Sequence, residues 1–145
     1  MKNILLALDL KPSDQQLIMQ AKSLASKFKS KIWIIHITAP EPDFVGYEVG
    51  PEYIRQSRAD ELRDEHKHLH KIMDDFRQAS IDAEGLLIQG PTVEMIEKEV
   101  EKLNIDLLII GSHKHGFLYE TFVGHTSIKM IKKLSIPILI VPADE

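Results

Sequence analysis

The sequence predicts an α/β fold, a single open five-stranded parallel sheet with helices on both faces. Three observations carry that expectation. Short apolar runs recur five times along the chain, each of strand length. Between them lie longer stretches whose apolar residues follow helical spacing. The strand runs are continuous rather than alternating, as expected where a strand is buried on both faces of a parallel sheet.

The elements follow in order. Ile4-Leu5-Leu6-Ala7-Leu8 is the first apolar run, and it stops at Asp9. Ser13 opens a Ser-x-x-Gln pattern suited to capping a helix. Leu17, Ile18, Ala21, Leu24, Ala25 and Phe28 follow at helical spacing. Residues 31–38, KIWIIHIT, are β-branched and aromatic and predict a second strand. Phe28 and Trp33 are expected in the core. Residues 39–50 carry Pro40, Pro42, Gly46 and Gly50 and form the one long aperiodic stretch. Loops of that length in compact domains are often functional.

Pro51 suits the first turn of a helix predicted to reach about Ala79. Its inner face is expected to hold Ala59, Leu62, Leu69, Met73 and Phe76. His66 is expected on that face too. Ala83 to Ile88 supplies a third strand. Gly90-Pro91 breaks the chain, and Thr92 is placed to cap a helix carrying Val93, Ile96, Val100 and Leu103. Asp106 to Ile110 is the fourth strand and runs into Gly111-Ser112. A last helix, with Ile128, Ile131 and Leu134 inward, leads to a fifth strand from Ile136 to Val141. Neither a repeat nor a low-complexity tract interrupts this order, so residues 1–145 are expected to form one domain.

Composition narrows the function. With 145 residues, one domain is the natural expectation. The chain has no cysteine, which excludes disulfides, thiolate catalysis, iron–sulfur clusters and thiolate zinc sites. Eighteen basic residues stand against 22 acidic ones, a net charge of −4, which argues against a general nucleic-acid binder. No apolar stretch approaches the ~20 residues of a membrane helix. The N-terminus lacks the pattern of a secretory leader. A cytoplasmic protein without a membrane partner is expected.

The fold class also predicts where a site lies. Open parallel sheets bind ligands outside the carboxyl ends of their strands, where strand order reverses. The residues expected there are Asp9, His36 to Thr38, Gln89-Gly90 and the segment from Gly111. That segment reads Gly111-Ser112-His113-Lys114-His115-Gly116, and Gly124-His125-Thr126-Ser127 opens the following helix. A helix N-terminus presents free N–H groups and partial positive charge, which suits a phosphate.

These residues resemble the universal stress protein family. The resemblance spans the chain and is strongest over residues 106–141. It implies the adenine-nucleotide α-hydrolase-like, Rossmann-like fold. Nucleotide-binding members carry Gly-x2-Gly-x9-Gly followed by Ser or Thr. Here Gly111 matches the first glycine and Gly124 the third. Lys114 stands at the second, and His125 replaces the hydroxyl residue after the third. Thr126 follows, and Ser127 matches a hydroxyl position common in binding members. Asp9 matches the first-strand Asp that contacts adenine in the family, and Leu10 replaces the Gly usual after it. The resemblance therefore implies an adenine-nucleotide site for ATP or AMP, formed by Asp9, Gly111, Lys114, Gly124, His125, Thr126 and Ser127. The two substitutions on the phosphate side imply weakened affinity. Lys114 is bulkier than glycine, though its cation suits phosphate, and His125 is larger than Ser.

Other chemistries are less well supported. Six of the seven histidines fall in two clusters, His66, His68, His70 and His113, His115, His125. His66 and His70 have a spacing that can chelate a metal, but the segment lacks the Glu of a metalloprotease helix. No metal site and no catalytic residue is expected. Ser112 beside His113 is not triad geometry, and there is no Gly-x-Ser-x-Gly elbow. A weak ATPase or other nucleotide hydrolase at the same strand ends is the alternative to a stress-response protein that acts by binding or signalling. Pro137 and Pro142 bracket the last apolar run, as suits an edge strand. In the resembled family that strand pairs across a homodimer, so strand 136–141 is expected to pair with a second copy. Other protein partners are not specified by the sequence.

Overall fold

The computed structural model describes residues 1–38, 52–112 and 130–142. Its strands are β1 (Asn3–Ala7), β2 (Lys31–Thr38), β3 (Ala83–Gln89), β4 (Leu107–Ser112) and β5 (Ile138–Pro142). Its helices are α1 (Gln15–Phe28), α2 (Glu52–Gln78) and α3 (Thr92–Lys102), and residues 130–133 are also helical. All five strands are parallel, in the order β3-β2-β1-β4-β5. The expected sheet is therefore present.

Side chains alternate between the two faces of a strand, so each apolar run feeds two cores. Ile4, Leu6, Leu8, Ile32 and Ile34 pack with Leu17, Ala21 and Ala25 of α1 and with Leu69, Met73 and Phe76 of α2. On the other face Leu5, Ala7, Ile35, Leu108 and Ile110 pack with Ile96 and Val100 of α3 and with Met130 and Leu134. Burial on both sides is the reason these strands are written in continuous apolar residues. At the amino edge, the Asp106 carboxylate accepts the N–H groups of Lys2 at 2.7 Å and Asn3 at 2.9 Å. Those bonds, that from Asn3 first, hold its carboxyl below the usual range. They tie the entry of β1 to the entry of β4.

Several local expectations are corrected. Ser13 does not cap α1. A 3-10 turn, Pro12–Asp14, precedes the helix, and the Asp14 side chain turns back to the loop after β1. Thr92 is the first residue of α3, with Pro91 at the cap. Phe28, at the end of α1, is 53% exposed. Ala59 and His66 on α2 are exposed as well. The 27 residues of α2 extend about 40 Å, whereas the eight of β2 extend about 26 Å. The sheet is therefore shorter than the helix, and among the described side chains of α2 the buried ones are Leu69, Ile72, Met73 and Phe76. Ile131 is exposed, while Met130 in the described helical turn and Leu134 just after it are buried, four residues apart. The edge strand starts at Ile138 rather than Ile136. The Pro137 carbonyl still accepts the Leu108 N–H at 3.1 Å.

Candidate functional site

The strand order reverses between β1 and β4, so their carboxyl ends diverge to leave a crevice. Asp9 lies two residues past the end of β1, and Gly111 is the penultimate residue of β4. Because the two strands are parallel neighbours, both residues reach the same edge. Gly111 is buried and stands opposite Val141 of β5. Lys114, Gly124, His125, Thr126 and Ser127 lie outside the described residues, as do His113, His115 and residues 39–50. Of the seven site residues expected, the structure thus places two.

The loop after β1 is organised around a residue that sequence reasoning missed. Asp14 is 2% exposed. Its carboxylate accepts the N–H of Asp9 at 3.4 Å and of Lys11 at 3.2 Å. This draws the chain back toward the start of α1 and sets the path of Asp9. Between them Leu10 takes a φ of 61°. A glycine adopts that left-handed region freely, while another residue gives up roughly 1–2 kcal/mol. Leu10 also packs against the core beneath it, which offsets part of that cost.

The end of β2 carries a second polar group. His36 and Thr38 continue the face that Ile32 and Ile34 turn toward α2. His36 Nδ1 lies 2.8 Å from the Leu8 carbonyl oxygen, and Nε2 lies 3.7 Å from Glu65 Oε1 of α2. Glu65 Oε2 and Thr38 Oγ1 are buried and have no hydrogen-bond partner among the described residues. The Thr38 carbonyl accepts the Gly90 N–H at 3.3 Å, and Gly90 has a φ of 147°. Glu65 had a readable signal. It falls three residues after Leu62 and four before Leu69, on the inner stripe of α2, but the surrounding charges hide it.

The histidines of α2 do not build a metal centre. The rings of His66 and His70 meet edge-on with centroids 4.7 Å apart, yet both residues are exposed. Among the described residues no three His, Asp or Glu side chains gather in a way that could hold an ion. No described helix is long and apolar enough to cross a membrane. A cavity lined by Lys2, Ser26, Lys29, Ser30, Lys31 and Asp82 opens at the amino edge of the sheet, opposite Asp9. The ends of α1 and α2 converge there, and its lysines complement their partial negative charge.

Residues 1–142 match the model of the universal stress protein family. The chain is 30% identical over 120 residues to universal stress protein A homolog 1 of Coxiella burnetii, covering 79% of this chain and 78% of that protein. A universal stress protein crystallised in complex with cAMP superposes with a TM-score of 0.69 at 15% identity, over 97% of this chain and 96% of that one. A universal stress protein from Archaeoglobus fulgidus, solved in complex with dAMP, superposes with a TM-score of 0.63 at 14% identity, over 97% and 98% of the two chains. The structural likeness establishes the adenine-nucleotide α-hydrolase-like fold, and with the sequence matches it shows that this chain belongs to the universal stress protein family.

Proposed function

We propose that the protein is a cytoplasmic stress-response homodimer that binds an adenine nucleotide, ATP or AMP, at the carboxyl edge between β1 and β4. The observation that carries this reading is the convergence of Asp9 and Gly111 at the one place where the strand order reverses. The cAMP and dAMP complexes of the two structural neighbours support the ligand class. Asp9 serves the base, while Gly111, Gly124, Thr126 and Ser127 serve the phosphates. Lys114 and His125 replace the small residues of the family pattern and lower the affinity. No metal and no catalytic group is assigned. The protein acts by holding a ligand, a reading supported by the lack of a P-loop lysine motif in the glycine segment.

Calorimetric titration with ATP and AMP tests the proposal. Binding weaker than micromolar is expected, and Gly124→Trp should abolish it. Micromolar ATP binding would contradict the weakening assigned to Lys114 and His125. Absence of binding at millimolar nucleotide would remove the nucleotide reading itself.

A further inference from the structure

The pairing of His36 with Glu65 is unusual in its hydrogen bonding. A backbone carbonyl only accepts, so the 2.8 Å contact to the Leu8 oxygen requires the proton on Nδ1. In the neutral ring Nε2 is then a bare lone pair. It faces a carboxylate oxygen at 3.7 Å, and the other oxygen of that carboxylate is buried with no partner among the described residues. Two acceptors therefore confront each other in a corner where the His36 side chain is only 12% exposed. A second proton on the ring turns this arrangement into a charge-assisted bond.

We propose that His36 is a proton-operated latch, which when doubly protonated ties the ends of β1 and β2 to Glu65 of α2. The elements it joins make this a device rather than a local contact. Leu8, whose carbonyl His36 holds, directly precedes Asp9, and the Leu8 N–H is bound to the Ile35 carbonyl at 3.0 Å. Glu65 lies one turn before Leu69, a buried residue of α2. Closing the latch extends the anchored part of α2 toward the carboxyl edge. Opening it removes that tie one turn before the buried Leu69. The charged groups of the neighbouring elements are Asp9, the buried Asp14 and the exposed Lys11 at the end of β1, and Glu61 one turn before Glu65 on α2. On β3 the residue opposite His36 is Leu87, which carries no charge. The latch operates with or without a nucleotide.

The test uses the ligand-free protein. Nitrogen-15 spectra of the imidazole at about pH 8 report which ring nitrogen carries the proton. The Nδ1–H form is expected, and the Nε2–H form would overturn the proposal. Hydrogen exchange of residues 61–69, corrected for intrinsic rate, should slow about tenfold from pH 8 to pH 5, as a charge-assisted bond is gained. In Glu65→Gln the amide places an N–H opposite the Nε2 lone pair, so the latch closes without the second proton. Its exchange should be slow and flat across the range. The same pH response in wild type and Glu65→Gln would overturn the proposal. If Glu65→Gln does not fold, His36→Asn keeps the donor to Leu8 and loses the arm to Glu65. Its exchange should then be fast at both pH values, and a retained pH response would count against the latch.

Discussion

Among the described residues four non-glycine residues sit at positive φ, and each lies just beyond a regular element: Leu10 after β1, Lys29 after α1, Ser80 after α2 and Asn104 after α3. The backbone must reverse quickly at these points, and the left-handed conformation does this in one residue. Lys29 caps α1 with its N–H on the Ala25 carbonyl, and its side chain is exposed. Replacing it removes strain without removing packing. Lys29→Gly should stabilise the protein by about 0.5–1 kcal/mol, less than the full relief because glycine also loosens the unfolded chain. A rise of roughly 1–4 °C in Tm is expected by calorimetry, and an unchanged or lower Tm would contradict it. The same change at Leu10 would also remove a side chain packed on the core. Nothing in the residue types announced these turns, apart from Asn104. A leucine and a lysine are poor local signals for positive φ, and only the demand of the connected elements places them there.

The contact of α2 with β3 depends on a missing side chain. A Cβ on Gly85 would stand 2.5 Å from Met73 Sδ and 3.0 Å from Leu69 Cγ. The helix therefore lies against the strand at a distance that only glycine permits. Gly85→Ala must push back both side chains and should cost about 1–3 kcal/mol. The urea midpoint should fall with the slope unchanged, and an unaltered midpoint would refute this account of the packing. The helix itself was legible from its spacing, and its limits Glu52–Gln78 agree with the start expected at Pro51 and the end expected near Ala79. Its phase was legible only where it meets the sheet. Leu69, Met73 and Phe76 are buried as their spacing predicts, while Ala59 and His66 follow the same stripe into solvent. Periodicity reports the apolar face but not how far the supporting sheet extends beneath it.

The sheet leaves β5 on an edge, with Ile140 46% exposed. An apolar edge strand offers unpaired N–H and C=O groups to another chain, and the proposed dimer pairs two copies there. Ile140→Lys should give a monomer of retained circular dichroism, measured by light scattering at micromolar concentration. A wild-type monomer, or a variant that stays dimeric, would contradict pairing through this strand. The opposite edge is β3, whose outer residues Glu84 and Gln89 are polar. The charge on β3 blunts that edge, so the two sides of the sheet are not equivalent.

The sequence by itself determined the class of fold, its five strands and the chemistries that are absent. Those properties are local or compositional. A strand buried on both faces must be apolar at every position, and a chain without cysteine has no thiol chemistry. Asp9 and Gly111 were also legible as strand-end residues of a family pattern. The tertiary structure alone decided that β1 and β4 are neighbours, because strand order depends on how each crossover returns to the sheet and not on any strand's composition. That order brings Asp9 and Gly111 to one crevice. The fold also seats Asp14 beneath the backbone of Asp9 and sets Glu65 against His36. The meetings of Asp9 with Gly111 and of His36 with Glu65 join residues far apart in the chain, and a local pattern carries no record of them.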